Sequence, residues 1–110
     1  MIESSLAYNR LTNKLTKENL WLYILKMLMD RQMYAYEISK TMKERFGFST
    51  ATITVYVVLY KMRQEGLIQV GEERSVFGRP DRKYYAISEK GRKVFQKGLQ
   101  LLNDIIRKLS

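Results

Sequence analysis

Three times between Thr16 and Gly66 the apolar residues recur at helical spacing, and each time a turn signal stops them. After Gly66 the chain changes to short runs of β-branched and aromatic residues. Few compact folds accommodate that order. In the first segment Leu20, Trp21, Ile24, Leu25 and Leu28 lie at helical spacing, Thr16 is placed to cap and Glu18 sits in the first turn, so the spacing predicts a core helix over 17–30. Tyr34, Ile38 and Met42, spaced by four, predict a second helix over 34–45 that Gly47 ends. Ser49 or Thr50 caps a third helix, which runs from about Thr50 to Glu65 and stops at Gly66.

The runs Leu67-Ile-Gln-Val70 and Lys83-Tyr-Tyr-Ala-Ile87 read as a two-stranded hairpin. Their connection, about Glu72 to Arg82, is long for a simple turn and forms a protruding basic loop that holds Gly78 and the only proline, Pro80. Ser88 caps a last helix that reaches about Leu109. Residues 1–15 carry Leu6, Leu11 and Leu15 in a weak helical pattern, either an arm packed on something else or a frayed leader. The division expected is an N-terminal arm (1–15), a central domain (16–87) and a C-terminal helix (88–110).

Composition excludes most catalytic chemistry. The 110 residues contain neither Cys nor His, which removes disulfides, Cys/His metal sites, thiol nucleophiles and every triad built on an imidazole. No enzyme and no cofactor is expected. Twenty Lys and Arg against eleven Asp and Glu leave a formal charge of +9, which points to a polyanionic partner. The start lacks the pattern of a secretory signal, and the apolar run Leu20 to Met29 is too short to span a membrane, so an intracellular, soluble protein is expected.

Three helices followed by a hairpin is the order of a winged helix, a mostly α (α+β) helix-turn-helix variant whose third helix enters the DNA major groove. On a helical wheel Val55, Val58, Leu59 and Met62 form the core face of the third helix. The opposite face carries Thr50, Ile53, Thr54, Val57 and Lys61, with Tyr56 and Tyr60 on its flank. Its methyls suit thymine methyls and its hydroxyls suit phosphates or base edges. The competing explanation is that Ile53 and Val57 pack under the N-terminal arm. Between Arg74 and Lys97 eight basic residues face two acidic ones, a net +6, and in Gly78-Arg79-Pro80 the flanking residues force a turn from which Arg79 projects toward a minor groove or a phosphate. An ordinary solvated basic loop is the plain alternative.

These stretches resemble the PadR family of winged-helix transcriptional regulators over about Leu20 to Gly91. The matching segments are Tyr34-Ala-Tyr-Glu-Ile38, Val55-Tyr-Val-Val-Leu59 continuing to Glu65-Gly-Leu-Ile68, and Gly78-Arg-Pro-Asp-Arg-Lys-Tyr-Tyr85 with Ser88-Glu-Lys-Gly-Arg92. The family usually has Pro after the third-helix tyrosine, where Val57 stands here, and has no counterpart of Asp81. The resemblance implies a cytoplasmic, dimeric repressor that binds double-stranded DNA through the third helix and wing and pairs its protomers through the C-terminal helix. The candidate contacts are Thr50, Thr52, Ile53, Thr54, Tyr56, Val57, Tyr60 and Lys61 on the recognition helix and Arg74, Arg79, Arg82 and Lys83 on the wing.

Phe95, Leu99, Leu102, Ile106 and Leu109 independently follow a 4-3-4-3 spacing, widened by Val94, Leu101 and Ile105, and this stripe points to a homodimer. Folding back onto its own domain is the alternative. A two-fold dimer would read half-sites about 34 Å apart, an inverted-repeat operator. An effector, if one acts, would bind between protomers near Trp21, Tyr23 or the last helix, although aromatics at helical spacing such as Trp21 and Tyr23 usually belong to a core. Two other functions compete. One is a winged-helix module for RNA or protein. The other is a nuclease holding a metal on Glu72, Glu73 and Asp81, a weak site whose carboxylates also suit the nearby arginines.

Arg79→Ala is expected to weaken binding to all duplexes alike and flatten its salt dependence, whereas Thr54→Ala or Tyr56→Ala changes sequence preference. Affinity titrations over a range of salt check both; an unchanged slope for Arg79→Ala removes that residue from the contact.

Overall fold

The computed structural model describes residues 5–73 and 82–110. Helix α1 (Leu6–Leu15) leads through a single 3-10 turn (Lys17–Asn19) into α2 (Leu20–Asp30), α3 (Ala35–Phe46) and α4 (Thr52–Gln64). Strands β1 (Ile68–Glu73) and β2 (Lys83–Ile87) follow, and α5 (Glu89–Leu109) closes the chain. Among the described residues this is a mostly helical winged helix with one two-stranded antiparallel sheet.

Two glycines set the helix ends because each occupies the left-handed region, where a side chain is strained. Gly47 (φ +80°) stops α3, its N–H donating to the Lys43 carbonyl. Gly66 (φ +78°) stops α4, where the Gly66 N–H donates to Arg63 and the Leu67 N–H to Met62, the paired bonds of a Schellman ending. Chain direction reverses there, and Leu67 and Ile68 drop into the core.

The core is continuous across α2, α3, α4 and the sheet. Ile24, Leu25, Ile38, Met42, Val55 and Leu59 have no exposed surface, and Met33, Tyr85 and Phe95 join them from the connecting segment, β2 and α5. Tyr23 extends this packing by meeting Phe46 and Phe48 edge-on, with ring centroids 5.0 and 5.1 Å away. The expected core face of the third helix holds: Val55, Leu59 and Met62 are buried and Val58 packs against them.

Three local expectations are corrected. The first core helix begins as the 3-10 turn, and Thr16 does not cap it; its hydroxyl donates to the Thr12 carbonyl 2.7 Å away, because residues before it are already helical. Neither Ser49 nor Thr50 caps α4. The N-cap is Ala51, and the Thr50 carbonyl accepts from the Ser39 hydroxyl at 2.7 Å, which pins the turn between α3 and α4. The first strand reaches Glu73, further than Val70, with an irregularity in register between Val70 and Glu73 where the partners are Tyr85 and Lys83. Arg74, Arg79 and Asp81 lie outside the described residues, as do the side chains of Glu72 and Glu73.

The wing base is tied down twice. Met33, between α2 and α3, makes a bridge to Tyr85 through both backbone hydrogen bonds (2.8 and 3.3 Å), so the sheet edge is held against the helices. At the other end, the Ser88 N–H donates to the Leu67 carbonyl, its hydroxyl to the Gly66 carbonyl, and Lys90 reaches the Glu65 carbonyl at 2.7 Å. Gly91 sits in the middle of this junction. A Cβ there would overlap the Leu67 carbonyl oxygen and come within 2.9 Å of Ile87. Because the obstruction is backbone, Gly91→Ala is expected to lower unfolding free energy by about 1–3 kcal/mol, to be measured by denaturant unfolding of the two proteins.

Candidate nucleic-acid interface

Helix α4 presents one face to the core and the other to solvent. Ile53 is 74% exposed, Tyr56 56%, Val57 51% and Tyr60 65%, with Thr54 and Lys61 also exposed and Thr52 half-buried. Among the described residues, Ile53 and Val57 do not pack beneath the N-terminal arm, the alternative raised by the sequence. The hydroxyl of Tyr60 accepts from Gln64 at 2.8 Å, which holds that ring along the helix surface. Thr50 departs from expectation: it precedes α4 in the pinned turn, so it belongs to the approach to the helix and not to the helix itself. Among the described residues no side chain caps the α4 N-terminus, whose first-turn N–H groups carry the positive end of the helix dipole.

At the wing root Arg82 lies half-buried with its guanidinium 4.3 Å from the centroid of the Tyr34 ring, and Tyr34 in turn meets Tyr84 edge-on at 5.4 Å. Lys83 beside it is exposed. These residues border an open cleft of about 660 Å³ between the start of α3, the outer face of α4 and β2, lined by Tyr34, Ala35, Tyr36, Tyr56, Arg82, Lys83 and Tyr85. Tyr34 and Tyr36 were not among the candidates the sequence offered. Helical spacing put Tyr34 in the core stripe of the second helix, whereas it is the α3 N-cap residue, extended in backbone and turned toward the wing. The Met33–Tyr85 bridge, a contact between distant residues, brings the segment before α3 and β2 together.

The model of the transcriptional regulator PadR-like family matches residues 24–97. The chain belongs to that family. No curated protein sequence matches it. Among solved structures, a Streptococcus transcriptional regulator is 30% identical, with 87% of this chain and 93% of that one covered and a TM-score of 0.72. A PadR-like transcriptional regulator from Bacillus cereus is 31% identical over 84% and 92%, with a TM-score of 0.63. Bacillus subtilis PadR in complex with operator DNA is 24% identical over 73% of this chain and 47% of that one, with a TM-score of 0.65, and shares the fold.

In this PadR-like chain α5 exceeds what its own domain covers. Gly91 and Phe95 are buried, and Gly98 lets α5 cross α2 closely, since a Cβ there would sit 3.1 Å from Trp21 and 3.2 Å from Leu22. Beyond it Leu99, Leu101, Ile105, Ile106 and Leu109 are exposed and Leu102 half-buried. Phe95 is buried and packs into the core of its own protomer. Helix α1 buries no residue. It is held by polar bonds at its C-terminal end, where the Tyr23 hydroxyl reaches the Leu15 carbonyl and the Asn19 amide the Lys14 carbonyl, both at 2.5 Å.

Of the basic residues after β2, Lys90 is placed at the far, C-terminal end of α4, about 20 Å along the helix from Thr52 at 1.5 Å per residue. Among the described residues no group of three or more His, Cys, Asp or Glu could hold a metal ion, and no helix is long and apolar enough to cross a membrane.

Burial raises the pKa of the Tyr85 hydroxyl above its ordinary value of about 10; Arg63 opposes that rise and Tyr56 adds to it. The native state thus favours neutral Tyr85, so this contribution is complete below pH 10 and is lost as the pH climbs through the raised value. Tyr85→Phe is expected to flatten the alkaline decline of stability, measured by urea unfolding between pH 8 and 11.

Proposed function

We propose that the protein is a cytoplasmic, sequence-specific DNA-binding repressor that acts as a homodimer on an inverted-repeat operator and carries no catalytic activity. The observation that carries this reading is the outer face of α4, where Ile53, Thr54, Tyr56, Val57, Tyr60 and Lys61 stand exposed on a helix whose other side is locked into the core. A solvated face would be rich in Lys and Glu; methyls and hydroxyls serve base edges and sugar-phosphate better. Thr52 starts the helix, Thr50 flanks it, and the uncapped first turn favours a phosphate there. Arg82 and Lys83, with Arg74 and Arg79 further along the wing, supply sequence-independent attraction. Support also comes from the family and from its Bacillus subtilis member, solved on operator DNA.

The second protomer packs on the exposed half of α5, through Leu99, Leu102, Ile106 and Leu109, with Leu6, Leu11 and Leu15 of α1 closing the edge. Without a partner this surface leaves a contiguous run of large apolar side chains in water. The functional division is then an arm (1–15), a DNA-binding domain (16–87) and a dimerisation helix (88–110). A small-molecule effector, where one acts, binds between protomers and alters the spacing of the two α4 helices.

Duplex DNA from upstream of the protein's own gene is expected to bind at nanomolar to micromolar protein with a steep salt dependence and to outcompete RNA of the same sequence. RNA winning that competition would favour the module reading. Ile106→Glu is expected to convert a dimer to a folded monomer in sedimentation velocity and to abolish high-affinity binding to the inverted repeat.

A further inference from the structure

We propose that the cleft at the wing root seats a backbone phosphate of the bound duplex, and that Tyr34 is the platform that aims Arg82 at it. The inference rests on the DNA-binding reading and assigns a task to the N-cap residue of α3, a helix otherwise engaged in packing. Among the described residues, those bordering the cleft include two cations, Arg82 and Lys83, and no carboxylate. Four of the seven are tyrosines, whose hydroxyls donate to phosphate oxygens. Its walls combine tyrosine rings with the two cationic groups, so an anion that can also accept from hydroxyls suits them and a cation would meet repulsion.

The stack explains how the site is ordered. A guanidinium 4.3 Å from a ring centroid is held by the ring, and its N–H donors lie in its own plane, where they remain available for two parallel bonds to a phosphate. The ring itself is steadied by Tyr84 edge-on at 5.4 Å and by the Tyr34 N–H donating to Glu37 at 3.2 Å. Tyr56, on the exposed flank of α4, borders the same cleft, so the phosphate would lie between the helix that reads bases and the strand that leads into the wing. Such a contact fixes register and carries no sequence information.

The test is fluorescence anisotropy of the full chain with the duplex from upstream of its own gene and with an unrelated duplex, over a range of salt. Arg82→Ala is expected to weaken both complexes about tenfold and to lower the salt slope by about 0.9, one phosphate. Arg82→Lys, which keeps the charge and loses the planar fork, recovers the slope and only part of the affinity. Tyr34→Leu weakens both complexes about threefold by loss of the platform. In an Arg82→Ala background the same substitution changes nothing further, while a purely structural role would persist there and lower the melting temperature. If wild type binds and Arg82→Ala leaves slope and affinity intact, the phosphate seat is overturned and the DNA-binding reading stands; if wild type binds no duplex, that reading itself fails. Inorganic phosphate is expected to compete no better than sulfate of equal ionic strength, and selective competition would give the cleft to a free anion instead.

Discussion

Burial of one side of α4 governs the rest of the molecule. Val55, Leu59 and Met62 are fixed between α2 and α3, so the rotation of the helix about its own axis is settled by packing. Each buried side chain of this size contributes about 1.5–3 kcal/mol, and turning the helix to hide Ile53, Val57 or Tyr60 would forfeit that while exposing the others. The exposed face is thus held outward by the core and not by contacts of its own. The turn before it is anchored by Ser39 on Thr50, and the Schellman ending after it directs the chain into the sheet. Position, rotation and both ends of α4 are all determined within the protomer.

What the sequence disclosed follows from which interactions are local. Helix spans, the stops at Gly47 and Gly66, the cap at Ser88 and the buried face of α4 depend on spacing and on residues a few positions apart, and these were legible. The start of α4 was not, because Ser39, eleven residues away, engages Thr50 and leaves Ala51 as N-cap. Phe95 illustrates the same limit. It shares the stripe's spacing with Leu99, Ile106 and Leu109, yet the early turns of α5 lie over the core, so the stripe is buried at its start and exposed further on.

The candidate interface was legible in its α4 half and in the wing's basic composition. Tyr34 was missed because its helical spacing with Ile38 and Met42 mimics a core position, whereas the strand bridge from Met33 to Tyr85 and the ring contact with Tyr84, both between residues distant in sequence, set it beside Arg82. Charge counting misled in one respect. Lys90, grouped by sequence with the wing, is anchored on the far end of α4, so proximity along the chain does not translate into a shared surface.

The Met33–Tyr85 bridge has a mechanical consequence. With β2 clamped to the segment that opens α3, and α3 packed on α4, the wing root and α4 are parts of one packed body. The separation between them is set before any duplex arrives. A duplex whose grooves do not match that separation must bend or twist to fit, and the elastic cost varies with its base steps. Discrimination would then extend to base pairs that no side chain touches.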